Sequence, residues 1–166
     1  MLSVGTIASA TTLVTGADLA EVLNQSAEDA FPPVYATSRM IGLMELAAAR
    51  AMRPALSTGE LSVGVSLDVT HIAATPIGVE VTAEARCIGQ DGKLFEFELT
   101  ARDRGGEIGR GTHKRAIVAA DRLVSGAVRR TSVGVSGDDR SGPLCKGFPA
   151  GEHARSAACR ACSYAA

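Results

Sequence analysis

The sequence predicts an α+β domain, one long helix lying against an antiparallel sheet of about five strands, and three observations carry that prediction. Residues 40–52 repeat apolar side chains at i, i+3 and i+4, the signature of a helix with one buried face. Between residues 61 and 119, apolar residues alternate with polar or small ones in four successive segments. Turn residues at 90–92 and 104–106 separate the last three segments, which suits hairpins rather than long parallel crossovers.

The elements follow in order. Residues 4–14 mix β-branched and small side chains, including Val4, Ile7, Thr11, Thr12 and Val14, and read as a first strand. Residues 17–30 hold Leu19, Val22 and Leu23 and suit a short helix. Phe31-Pro32-Pro33 stops any helix there, because proline lacks the N–H and restricts its predecessor. Thr37 and Ser38 are N-cap residue types ahead of the helical run. In that run Met40, Leu43, Met44, Ala47, Ala48 and Ala51 share one face, Arg39, Arg50 and Arg53 lie opposite, and Pro54 ends it.

The second strand carries Leu61, Val63, Val65, Leu67 and Val69. The third sets Val79, Val81, Ala83, Ala85 and Cys87 against Glu80, Thr82, Glu84 and Arg86. Gln90-Asp91-Gly92 is a tight turn into a strand with Phe95, Phe97, Leu99 and Ala101, and a last strand runs from about Glu107 to Ala119. One helix cannot cover a five-stranded sheet, and sheet edges need partners. Both facts point to a homodimer that continues the sheet. Residues 1–123 therefore form the domain. Residues 124–166, rich in Gly, Ser, Arg and Ala without a period of 2 or 3.6, read as a disordered tail.

Composition narrows the function. With 17 Lys and Arg against 18 Asp and Glu, the chain has no bulk charge to suggest a nucleic-acid partner. There is no Trp, so the core is aliphatic, with Ala and Met. Only Cys87 of the four cysteines lies in the patterned body, which is not a disulfide framework and suits a reducing cytoplasm. The first twenty residues lack a basic n-region and their apolar residues are interrupted, so neither a signal peptide nor a membrane span is expected. Cys145, His153, Cys159 and Cys162 fit no common zinc spacing, and no metal is expected.

Glu45 is the most informative residue. Around the helix it falls between Ile41, Ala49 and Met52, and neither Arg50 nor Arg53 stands at an ion-pairing offset of three or four. A carboxylate facing apolar neighbours is costly to ionise, and that is how enzymes prepare one for general-base or nucleophilic work. The plainer reading is a glutamate reaching water from the rim of the face. His71 ends the second strand in phase with its apolar residues, where a backbone bond would explain it equally well. Thr37 is an N-cap type, but a hydroxyl at the positive end of a helix also orients an anion or acyl oxygen. Gly64 interrupts a regular strand, so a ligand or the crossing helix must approach closely there. Gly109-Arg110-Gly111-Thr112-His113-Lys114-Arg115 suggests a surface near a ligand, with Arg110, Lys114 and Arg115 as phosphate-binding candidates, or else a solvated strand face.

Three stretches together resemble the fluoroacetyl-CoA thioesterase family of hot-dog-fold proteins: Phe31 to Glu45, Val69-Thr-His71-Ile-Ala-Ala-Thr-Pro76, and Glu107 to Arg115. The resemblance covers roughly residues 3–123. It implies a long helix wrapped by an antiparallel sheet, a homodimer, and a cofactor-free hydrolase whose partner is an acyl-CoA substrate, CoA being part of that substrate. It places the family's catalytic Thr, Glu and His on Thr37, Glu45 and His71. It matches Gly64 to the glycine whose N–H holds the substrate oxygen or water, Arg115 to the strand-borne active-site arginine, and Phe31 to an aromatic over the pocket. Tyr35 and Ser38-Arg39 depart from the family's pattern, so fluoroacetyl selectivity is not expected to transfer.

The expectation is hydrolysis of a short acyl-CoA, with Glu45 as nucleophile or general base. The alternatives are a non-catalytic acyl-CoA-binding module and a hot-dog hydratase acting on an enoyl thioester.

Overall fold

The computed structural model describes residues 2–132. Strand β1 (Ile7–Leu13) is followed by short 3-10 turns at Gly16–Asp18 and Ala20–Leu23 and then by helix α1 (Thr37–Met52). A 3-10 turn at Arg53–Ala55 leads to β2 (Glu60–His71), β3 (Glu80–Asp91), β4 (Leu94–Asp103), β5 (Gly106–Ala119) and helix α2 (Ala120–Ser132). The strands form one antiparallel sheet in the order β1-β3-β4-β5-β2. This is the hot-dog arrangement, a central helix with the sheet curled around it.

The periodicities place the core. Met40, Leu43, Met44, Ala47, Ala48 and Ala51 of α1 are all buried, as the spacing requires. They meet Val81, Ala83, Ala85 and Cys87 of β3 and Phe95, Phe97, Leu99 and Ala101 of β4. Alanines on both faces let helix and sheet approach closely, and Met40, Met44 and Met52 fill what remains. Truncating one such Met to Ala costs about 2–5 kcal/mol.

Several boundaries differ from the sequence reading. Helix α1 begins at Thr37, with Ala36 as N-cap and no side-chain cap, so Thr37 is a helical residue whose hydroxyl is free for other work. In place of one short helix over 17–30 the chain makes two 3-10 turns, Gly16–Asp18 and Ala20–Leu23, with extended backbone at Leu19 between them. The β3–β4 hairpin turns at Gly92, whose φ of 58° is easy only for glycine. The chain continues as helix through Ser132, past the domain boundary expected at 123. That helix buries no side chain. The rest of the tail expectation and the cysteines beyond Cys87 lie outside the described residues.

The strand at the β2 edge is long, and Gly64, Val65 and Ser66 at its centre are all exposed. A bulge between Gly64 and Ser66 shifts the register against β5. No helix among the described residues is long and apolar enough to cross a membrane.

Candidate active site

Five of the expected site residues form two clusters along α1. The first lies at the helix start. Thr37 Oγ1 is 2.9 Å from His71 Nδ1, at the end of β2. The other ring nitrogen, His71 Nε2, is buried with no hydrogen-bond partner among the described residues. An orphaned buried nitrogen beside a reachable hydroxyl is a group with spare bonding capacity.

The second cluster lies in mid-helix. Glu45 Oε1 is 3.4 Å from Arg115 Nη1 and 3.6 Å from His113 Nε2. Glu45 is not walled in by apolar groups, as its position around the helix had suggested. Its side chain is 44% exposed, and it faces a guanidinium that is only 7% exposed. β5 supplies that cation because Arg115 and His113 are two residues apart and share the helix-facing side of the strand. The Arg115 fork is anchored elsewhere too. Nε donates to Ser62 Oγ at 3.2 Å, Nη2 to Ser62 O at 2.8 Å, and Nη1 to His113 Nε2 at 3.0 Å. Burial pushes the Arg115 pKa down and Glu45 pulls it up, with the cation retained throughout.

Gly64 faces this cluster. A Cβ there would overlap Glu45 Oε1 and lie 3.0 Å from His113 Cε1. The glycine therefore exists so that a side chain of the crossing helix can reach the β2 backbone. Gly109 has a similar origin, since a Cβ there would lie 2.6 Å from Met40 Sδ. Helix packing, not a ligand surface, explains that glycine.

The structure thus joins Thr37 with His71, and Glu45 with Gly64 and Arg115. It does not bring the two groups together within one chain. Thr37 and Glu45 are eight residues apart on one helix, a rise of about 12 Å. Phe31 stands on the loop before α1, 48% exposed and outside both clusters. Arg110 and Lys114 alternate to the other face of β5, where Arg110 pairs with Glu107 at 2.7 Å and Lys114 approaches Glu96 at 4.0 Å. Tyr35 is a core residue, its phenol pKa raised to about 12 mainly by burial.

Sequence reasoning missed Ser62 and gave His113 no role. His113 was within reach of strand alternation, which puts it in phase with Arg115. Ser62 was not, because only the register of β2 against β5 brings it to the guanidinium.

A sequence-family model described as fluoroacetyl-CoA-specific thioesterase matches residues 14–121. The fluoroacetyl-CoA thioesterase of Streptantibioticus cattleyicolor is 42% identical over 104 residues, which cover 63% of this chain and 75% of that protein. A solved structure of a fluoroacetyl-CoA thioesterase superposes with a TM-score of 0.73 at 38% identity, covering 78% of this chain and 97% of that one. A hot-dog-like protein from Thermanaerovibrio acidaminovorans superposes with a TM-score of 0.69 at 25% identity, covering 82% of this chain and 96% of that one.

Proposed function

This chain belongs to the fluoroacetyl-CoA-specific thioesterase family and is an acyl-CoA thioesterase, and from that premise we propose that it cleaves a short acyl-CoA with Glu45, Thr37 and His71 as its catalytic groups. The observation that carries the assignment is the Glu45 carboxylate, half exposed, backed by the buried Arg115 guanidinium and set against the Gly64 backbone. An ionised, oriented carboxylate beside a backbone N–H is what attack on a thioester carbonyl needs.

Glu45 either draws a proton from water or attacks the carbonyl itself to form an anhydride that water then opens. Both routes yield free acid and CoA thiol. The Gly64 N–H receives the oxyanion or holds the water. His71, oriented through Nδ1 by Thr37, presents Nε2 to the thioester and protonates the leaving thiolate. Arg115 fixes the carboxylate, and Phe31, which no contact among the described residues ties to either cluster, is assigned to the acyl pocket by the family resemblance alone. A single turnover in heavy-oxygen water distinguishes the routes, because only the anhydride route leaves label on Glu45.

The working unit is a homodimer. Its support is the exposed β2 edge, with apolar Val65 exposed at its centre and Ile72 exposed just past its end, together with the separation of the two clusters. Antiparallel pairing of β2 with a second copy reverses the strand. It carries the Thr37–His71 pair of one copy toward Glu45 and Gly64 of the other. The active unit ends near residue 123, since α2 buries nothing. It works in the reducing cytoplasm, in keeping with the free, buried Cys87. It needs no cofactor beyond the CoA of its substrate.

The test is thiol release from a panel of short acyl-CoA esters, with Glu45→Gln beside the wild type. Turnover that Glu45→Gln abolishes is expected. A folded wild type inert on every ester would return the function to a binding module. Hydroxyacyl product from an enoyl-CoA, without free thiol, would make it a hydratase.

A further inference from the structure

Three polar side chains are buried among the described residues: Thr75, His113 and Arg115. Thr75 donates to Asp103 Oδ2 at 2.7 Å and ties the loop after β2 to the end of β4. Arg115 backs Glu45. His113 has no part in the chemistry above, yet it is 1% exposed and both of its ring nitrogens are engaged.

Nδ1 is 2.8 Å from Ser66 O, and Nε2 is 3.0 Å from Arg115 Nη1. A guanidinium only donates, so Nε2 accepts from Arg115. The ring hydrogen then sits on Nδ1 and is donated to the Ser66 carbonyl. The two bonds define one tautomer of a neutral ring. Its surroundings agree. Burial favours the neutral form most strongly, the Ser66 carbonyl opposes this, Arg115 reinforces it, and the Glu45 carboxylate from α1 opposes it. From β4 the cross-strand neighbour is apolar Phe97.

The atom that His113 holds is the one that matters for Glu45. Ser62 anchors Nε and Nη2 of the guanidinium, while Nη1 is shared between His113 at 3.0 Å and Glu45 at 3.4 Å. The same ring bonds Ser66, just past the bulge that follows Gly64. One imidazole therefore links the bulged β2 backbone to the cation behind the carboxylate.

We infer that His113 is a positioning residue, which as the neutral Nδ1–H tautomer anchors Arg115 Nη1 and so sets where the guanidinium meets Glu45 beside Gly64. This rests on Glu45 being the catalytic carboxylate.

Two substitutions separate its two bonds. His113→Gln keeps an acceptor near the Nε2 position, whereas His113→Asn keeps a donor toward Ser66 but is too short for Arg115. We expect His113→Gln to retain kcat within about threefold. His113→Asn should lose about tenfold or more in kcat with KM little changed, as the loss of a charge-assisted bond implies. Circular dichroism melts should show both variants folded. Nitrogen-15 NMR of the wild type should show the His113 proton on Nδ1 and none on Nε2, a readout that needs no variant. His113→Asn as active as wild type, His113→Gln as impaired as His113→Asn, or a proton on Nε2 would each overturn the inference. Glu45→Gln run alongside separates the failures. If it is inactive while His113→Asn is unimpaired, only the positioning role falls. If it is fully active, the catalytic reading and this inference fall together.

Discussion

The two ends of the candidate site are built on opposite plans. At mid-helix the Arg115 guanidinium is buried and bonded by Ser62, His113 and Glu45. At the helix start Thr37 is exposed, its hydroxyl has one partner, and His71 Nε2 has none. The first region is a complete network that fixes the direction of one carboxylate. The second is an incomplete one, left with capacity to bond something that arrives. On the function proposed above, hydrolysis needs both, a held base and a free acid. On that proposal neither end is an active site alone.

The largest expected effect is at the held end. Glu45→Gln should lower kcat about a thousandfold with an unchanged melt, as judged by thiol release and circular dichroism. At the free end, His71→Ala should cost about a hundredfold, and Thr37→Val, which only loosens the imidazole, about tenfold. If Thr37→Val proved the most damaging of the three, the division into held and free ends would be wrong. Arg115→Lys should cost about tenfold in kcat, because an ammonium cannot reproduce the fork that bridges Ser62, His113 and Glu45.

The smallest effect concerns stability against pH. His113 binds its proton less tightly in the folded chain than its ordinary value of 6.5. Its contribution is therefore complete above about pH 6.5 and is lost as the pH falls from there toward the folded value. Asp18 is also held below its usual 3.8, chiefly by Thr15, so its loss belongs to a more acid range. The wild-type melting temperature should begin to drop below pH 6.5, and His113→Gln should flatten that first step. An unchanged step in His113→Gln would assign it to another group.

Much of this was legible in the sequence. Met40 to Ala51 gave the buried face of α1, and the alternation from Val81 to Ala101 gave the sheet, because both follow from a single local period. The three resembling stretches marked Thr37, Glu45, His71 and Arg115, and the break in a regular strand marked Gly64. What could not be read was partnership. Glu45 looked like a carboxylate among apolar residues because its cation comes from a strand seventy residues away. Thr37 looked like a cap because its histidine lies at the end of β2. Residues 17–30 offer only Leu19, Val22 and Leu23, and an apolar pattern that weak does not distinguish a helix from two isolated turns. Past residue 119 a short apolar stripe, Leu123, Val124, Ala127 and Val128, does mark the helix, but it was overlooked among Gly, Ser and Arg, and Val124 and Val128 remain exposed.

The claim on which everything else depends is that the two ends meet across two chains. Glu45→Gln and His71→Ala are each inactive in that account, but a dimer containing one of each has one site with both groups intact. Co-expressing the two variants and assaying thiol release should restore about a quarter of wild-type activity, since half the dimers are mixed and each has one working site. Activity no higher than that of the separate variants, with mixed dimers verified by mass, would place the complete site within a single chain and contradict the account.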